Sequence, residues 1–176
     1  MTTQQPRQLS LFIATSLDGF IATPDGGVDW LFHDQDYGYT QFFDSIDTVV
    51  TGRKTFDQSL SFSRDPFMGK QTFVFSRSEV KSVLPRTEYI RKDPVEFTRS
   101  LKAGPGRKIW LVGGAQINGL LVGAGLIDEI IMSIHPVALG RGVHLFGQEG
   151  SLCDYRLADS QVFESGLVQL SYMLRS

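Results

Sequence analysis

The chain has a single cysteine, Cys153, and only three histidines among its 176 residues. One thiol excludes an internal disulfide and a cysteine-based metal cluster. His33, His135 and His144 lie far apart and without metal-ligand spacing, so each reads as an ordinary surface or loop histidine and no metal is expected. No apolar run approaches the length that crosses a bilayer. The opening MTTQQPRQ lacks the pattern of a secretory signal. A dominant sign of charge is missing too: 17 Lys and Arg stand against 19 Asp and Glu, interspersed, for a net charge of -2. That argues against a nucleic-acid or membrane surface. Internal repeats, low-complexity stretches and interdomain linkers are likewise wanting. These absences leave a reducing, cytoplasmic setting and one domain over residues 1–176, with the polar residues 1–7 read as a flexible tail.

What is present is punctuated by glycine. Ile109 to Val112 is an apolar run that stops at Gly113-Gly114, where a helical pattern begins at once. The chain returns as a second apolar run, Glu129 to Ile134, completing a strand–helix–strand unit. Elsewhere, Gln8 to Thr15, Thr48 to Thr51, Gln71 to Phe75 and Glu88 to Ile90 read as strands. Gln35 to Ile46, Arg53 to Ser59 and Pro94 to Lys102 read as helices, the last with proline in its first turn. Tyr155 to Phe163 and Val168 to Leu174 flank the turn Glu164-Ser165-Gly166 as an antiparallel hairpin. Alternating strands and helices predict an α/β fold: a mixed, mostly parallel sheet with helices on both faces, closed by the C-terminal hairpin.

Ligands of open α/β sheets sit beyond the carboxyl ends of the strands. Three ends here are suited to phosphate: TGRKT (Thr51 to Thr55), FSRS (Phe75 to Ser78) and VGGAQ (Val112 to Gln116). Glycine lets backbone approach a ligand closely, helix N-termini offer N–H groups, and Arg53 and Arg77 carry planar forks that match phosphate. Any one turn is weak, because glycine ends strands everywhere; the three together point to a dinucleotide with an additional phosphate. The Gln35–Ile46 segment adds a second clue. Phe32, Asp36, Tyr39, Thr40, Phe43 and Ile46 share one helical face, apolar except for Asp36 and Thr40. A carboxylate on a buried stripe is costly unless it is paired or meets a ligand, and burial raises its pKa toward proton delivery. A later helix start would instead make Asp36 a carboxylate at the helix N-terminus. Asp34 competes for either role.

Taken together, Ala14 to Leu31, TGRKTFD, FVFSRS, Val112 to Phe146 and the final hairpin resemble the dihydrofolate reductase superfamily. Within it they resemble the bacterial branch with the reductase domain of the riboflavin-biosynthesis deaminase-reductase, the RibD C-terminal-domain-like branch. The resemblance implies a three-layer dihydrofolate reductase-like fold and an NADPH-dependent reductase acting on a small heterocycle, such as a ribosylamino-pyrimidine riboflavin precursor. It implies that Ala14 and Ile21 hold the nicotinamide carboxamide under the loop Asp18 to Trp30. Gly52, Arg53, Lys54 and Thr55 take cofactor phosphate, and Ser76 and Arg77 sit near the 2′-phosphate. Gly113, Gly114, Ala115, Gln116 and Ile117 form the pyrophosphate turn, often with a cis Gly-Gly bond in the family. The family's catalytic carboxylate falls at Asp36, with Thr40, Ser133 and Trp30 as substrate-side residues. Reductases of this branch tend to be dimers, which makes a homodimer through Gly140 to Phe146 and the helix Leu120 to Leu126 the expected assembly. Folate reductases place a tail-binding arginine where this chain has Lys70, a point charge without the two-pronged grip. Dihydrofolate reductase proper and a non-catalytic nucleotide-binding dimer are the alternatives.

Overall fold

The computed structural model describes residues 6–82, 84–147 and 151–175. An eight-stranded sheet runs in the order β5-β4-β3-β6-β1-β7-β10-β9. Its strands are β1 (Leu9–Thr15), β3 (Ile46–Gly52), β4 (Gln71–Phe75), β5 (Thr87–Ile90), β6 (Lys108–Gly113), β7 (Glu129–Ile134), β9 (Tyr155–Val162) and β10 (Val168–Leu174). The first six strands in that order pair in parallel, and β10 and β9 join antiparallel at one end. A small ribbon of β2 (Phe20–Ala22) and β8 (Val143–His144) stands apart. The four helices are α1 (Tyr39–Ser45), α2 (Arg53–Phe62), α3 (Pro94–Ala103) and α4 (Ala115–Gly123).

Strand alternation builds the three layers. Val50, Leu9, Leu11, Ile109 and Leu111 face one side, where Leu121 and Val122 of α4 and Phe97 and Leu101 of α3 cover them. Val49, Val74 and Trp110 face the other, against Phe42 and Phe43 of α1 and Phe56 of α2. Successive side chains of a strand point to opposite faces, so strands covered on both sides read as nearly continuous apolar runs. Each fully buried side chain of this kind stabilises the fold by about 1.5–3 kcal/mol. At α3, Pro94 opens the helix and the Asp93 carboxylate accepts from Val95 N at 2.9 Å and Glu96 N at 3.0 Å. Such a cap contributes about 1 kcal/mol.

Several expectations need correction. The helix expected from Gln35 starts only at Tyr39, because Tyr37 (φ 52) and Gly38 (φ 78) adopt left-handed backbone that no α-helix contains. Arg7, placed in the flexible tail, is buried. Its guanidinium donates to Arg107 O (2.8 Å), Thr48 Oγ1 (2.7 Å) and the Asp47 carboxylate. Residues 1–5 of that tail lie outside the described residues. His135 is buried rather than a surface histidine, at 3% exposure. Leu121, Val122 and Leu126 of the expected interface helix belong to the chain's own core, while Leu120 of the same segment is half-buried. Of the other expected interface segment, Val143 and His144 pair with β2 and Leu145 is buried. Among the described residues no helix is long and apolar enough to cross a membrane, and no group of three metal-ligating side chains assembles.

Candidate functional site

Parallel pairing of β4, β3, β6 and β1 brings their carboxyl ends to one edge, and with them the glycine turns. Gly52 pairs with Phe75 across β3 and β4, and Thr51 with Gly113 across β3 and β6. The Thr51 hydroxyl donates to Gly113 O at 3.4 Å. Gly113 and Gly114 hold φ values of 114° and 105°, which L side chains rarely adopt, and a Cβ on Gly114 would lie 3.1 Å from Thr55 Oγ1. Their peptide bond is trans, a departure from the cis bond the resemblance suggests. The first helical turns at these two ends lack side-chain caps: α2 starts at Gly52 and α4 at Gly114 without one, whereas α3, which follows β5 at the same edge, is capped by Asp93. Two helices, one on each face of the sheet, thus leave orphan N–H donors at the same edge, the arrangement that accepts an anion. Thr55 does not cap α2; its hydroxyl lies beside Gly114.

The third turn joins through Arg53. Its Nη1 donates to Ser78 Oγ at 3.4 Å, its Nε pairs with Asp57 at 3.2 Å, and its guanidinium lies 5.7 Å from the Tyr89 ring centre. Ser76 Oγ donates to Ser78 O at 2.9 Å, which folds the Ser76–Ser78 turn on itself. Lys54 and Arg77 are exposed at the same rim. Gly52, Arg53, Lys54, Thr55, Ser76, Arg77 and the Gly113–Ile117 turn therefore share one edge of the sheet. The glycine cradle, closed to a Cβ, and the uncapped helix ends fit a dinucleotide pyrophosphate.

Next to this edge lies a cleft of about 280 Å³. Its floor is Phe12, Ile13 and Ala14 of β1 with Trp110 and Val112 of β6; Thr55, Gln58, Ser59 and Phe62 of α2 form one wall; and Ile21, Ala22, Val28 and Leu31 close it. Ala14 and Ile21 are thus brought together. The volume falls just below the range of drug-sized ligand pockets, about 300–1,000 Å³, and suits a flat ring. The α2 wall was missed from sequence, although positions 55, 58, 59 and 62 share a helix face and the i, i+3, i+4 rule applied to the helix after GRKT exposes it. Phe62 ends that wall with 71% of its surface exposed, a large apolar ring at the mouth.

Asp36, Thr40, Trp30 and Ser133 lie outside the lining of this cleft. Asp36 is exposed, contrary to the buried position expected. Its carboxylate accepts from Thr40 Oγ1 at 2.6 Å and from Thr40 N at 3.0 Å, so it stands at the N-terminus of α1. The Thr40 hydroxyl, foremost, and the Thr40 and Gly38 amides hold the carboxyl below the usual carboxylate range, which reverses the expected upward shift. The Asp34 carboxyl is likewise held down, chiefly by Tyr37 Oη at 2.6 Å. Ser133 is buried and its hydroxyl accepts from Gln169 Nε2 at 3.0 Å; the same nitrogen donates to Tyr37 O at 3.0 Å. Trp30 packs edge-on against His135 with ring centres 5.3 Å apart. Burial pushes the His135 imidazole below its ordinary value. Lys70, at the place of the folate-tail arginine, donates to Ile46 O at 2.9 Å and lies 4.6 Å from the Phe43 ring centre.

Residues 7–169 match the model of the RibD C-terminal domain. The chain belongs to the RibD C-terminal domain family. Among curated proteins it is 37% identical to YyaP of Bacillus subtilis, covering 94% of each chain, and 34% identical to YwjB of the same organism, covering 95% of this chain and 98% of that one. Neither name assigns a function. Among solved structures, a Shewanella sp. PV-4 protein provisionally assigned to riboflavin biosynthesis superposes with a TM-score of 0.84 at 29% identity, over 96% of this chain and 99% of that one. The Thermotoga maritima diaminohydroxyphosphoribosylaminopyrimidine deaminase/5-amino-6-(5-phosphoribosylamino)uracil reductase gives 0.75 at 14% identity; the match spans 97% of this chain and 57% of that longer one. Enterococcus faecalis dihydrofolate reductase, complexed with NADP(H), gives 0.66 at 15% identity over 96% and 97%. At such identities the last two establish the fold shared by RibD C-terminal domains and dihydrofolate reductases.

Proposed function

We propose that this RibD C-terminal domain protein is an NADPH-dependent reductase. Its substrate is a small flat heterocycle of the ribosylamino-pyrimidine kind met in riboflavin biosynthesis. The observation that carries the reading is the convergence of three phosphate-suited turns beside an apolar, ring-sized cleft. The names of the Shewanella and Thermotoga proteins support the substrate class, and the NADP(H) complex of the Enterococcus enzyme supports the cofactor.

Each residue then has a physical task. The backbone of Gly113 to Ile117 and the first turn of α2 receive the cofactor's pyrophosphate, and Arg53, Ser76 and Arg77 its additional phosphate. Ala14 and Ile21 orient the carboxamide through backbone groups. When bound, the nicotinamide supplies hydride, which is the cofactor's own chemistry. Phe12, Trp110, Val112 and Leu31 exclude water from the cleft. Asp36, ionised at neutral pH and outside the cleft lining, anchors an N–H group on the part of the substrate that projects from the cleft by accepting hydrogen bonds. It is no proton donor in the ligand-free protein.

A folate substrate is disfavoured because the Lys70 ammonium is already engaged with Ile46 O and Phe43. The test is loss of reduced-nicotinamide absorbance with a 5-amino-6-ribosylaminouracil phosphate, with dihydrofolate and with buffer alone. Turnover of the pyrimidine, with slow or absent turnover of dihydrofolate and weak methotrexate binding, is expected. Fast dihydrofolate turnover makes the chain a folate enzyme; NADPH binding without turnover of either makes it a binder.

A further inference from the structure

The segment after β2 closes the cleft, and one hydrogen bond fastens it. Thr23 to Gly27 folds on itself, with Thr23 N donating to Gly27 O at 3.0 Å and Gly26 N to Thr23 O at 2.8 Å. Val28 and Leu31, just beyond, line the cleft. Among the described residues, one hydrogen bond ties the Thr23–Leu31 stretch to another element: Gln58 Nε2, on α2, donates to Gly26 O at 2.8 Å. Gln58 itself lines the cleft.

A primary amide has a donor edge and an acceptor edge. Gly26 O can only accept, so the nitrogen of Gln58 faces the loop and its oxygen faces away. Among the described residues nothing donates to that oxygen. Of the other polar groups of the wall, Ser59 Oγ donates to Thr55 O at 2.9 Å, and Thr55 Oγ1 stands at the end of the wall beside Gly114. Gln58 therefore brings a hydrogen-bond acceptor to a largely apolar cleft, on the side chain that also holds the loop.

We propose that Gln58 couples the loop to the contents of the cleft: its amide nitrogen fastens Gly26, and its amide oxygen accepts an N–H of the ring bound beneath. Gln58 is then a specificity-determining residue that favours rings bearing a free N–H over N-alkylated ones. The ring's identity rests on the reductase reading; the fastening of the loop does not.

Three substitutions separate the two edges. Gln58→Glu keeps an acceptor and loses the donor, Gln58→Lys keeps a donor and loses the acceptor, and Gln58→Met loses both. Hydrogen exchange on the ligand-free proteins reads the loop. Amides of residues 23–31 should exchange about three- to tenfold faster in the Glu and Met variants, the effect of one hydrogen bond, and near the wild-type rate in the Lys variant, with α2 protection unchanged in all. Quenching of tryptophan fluorescence by 5,6-diaminouracil and its 1,3-dimethyl derivative reads the cleft, which Trp110 lines. The wild type and the Glu variant should prefer the unmethylated ring by about three- to tenfold, and the Lys and Met variants should not. A purely structural glutamine would not produce this crossed pattern. Unchanged loop exchange in the Glu and Met variants overturns the fastening, and a preference that survives in the Lys variant overturns the acceptor role. Failure of the wild type to bind either ring overturns the acceptor role together with the heterocycle reading, while the exchange data still decide the fastening.

Discussion

Gly114→Val tests the cofactor edge most directly. At φ 105° the backbone of Gly114 is closed to a β-branched side chain without strain, which costs of order 1–3 kcal/mol. The new Cβ would also lie 3.1 Å from Thr55 Oγ1, so the Thr55 side chain must give by a few tenths of an ångström, whereas Gly52 Cα at 3.9 Å is an ordinary contact. Together these effects amount to about 2–4 kcal/mol, or a Tm lower by roughly 5–15 °C in a domain of this size. The side chain would moreover stand in the space that backbone leaves for the pyrophosphate, so NADPH affinity should fall at least about tenfold beyond any effect of stability. Gly125→Ala is the control. Gly125 also has positive φ (64°), but a Cβ there meets nothing within 4 Å, so it should lose only about 1 kcal/mol and bind NADPH normally. Circular dichroism melts and a fluorescence titration with NADPH on both variants are the measurements. A folded Gly114→Val protein that binds NADPH as the wild type does would refute the cradle and leave these glycines a packing role.

Arg77→Ala should weaken NADPH by about 1.5–3 kcal/mol and NADH hardly at all, since one charge-assisted contact to the additional phosphate is removed; equal weakening of both in parallel titrations takes Arg77 out of that site. Asp36→Asn retains an oxygen for Thr40 N and so preserves α1, but loses the anion; kcat/KM should drop by about 10- to 150-fold with NADPH binding intact. Asp34→Asn should be nearly silent in the same steady-state assay, and the reverse result would move the anchoring role to Asp34. Asp18 contributes to the acid behaviour. The Ser16 hydroxyl, first, and the Leu139 and Gly140 amides hold its carboxyl at about 2, from an ordinary 3.8. A carboxyl depressed in the folded state adds stability that is complete above its unfolded pKa and lost as pH falls through the folded one. Acid unfolding should thus steepen between about pH 4 and pH 2, and Asp18→Asn should flatten that segment; superimposable acid titrations would show the Asp18 contacts to be without weight.

Sequence alone determined the features that depend on neighbours along the chain. The strand-ending glycines at 52, 113 and 114, the proline-led α3 and the C-terminal hairpin stand where they were expected, because turn chemistry, capping and side-chain alternation act over a few residues. Strand periodicity likewise carried the two-faced core, since Val49 and Val50 had to face opposite layers. Tertiary structure decided the rest. The left-handed backbone at Tyr37 and Gly38 goes with contacts distant in sequence, Tyr37 Oη to Ser165 Oγ at 2.8 Å and Gln169 Nε2 to Tyr37 O at 3.0 Å. That break delays α1 and turns Asp36 from a buried stripe to solvent. The same holds for Arg7, whose tail-like setting gives no hint of the Asp47 and Thr48 partners it meets across the sheet. The cleft, too, exists only because parallel pairing lays the ends of β1 and β6 beside α2, and because Gln58 reaches Gly26 across a gap of 32 residues. Such contacts join segments that no local rule relates; their partners are set by which strands pair and where each side chain then points.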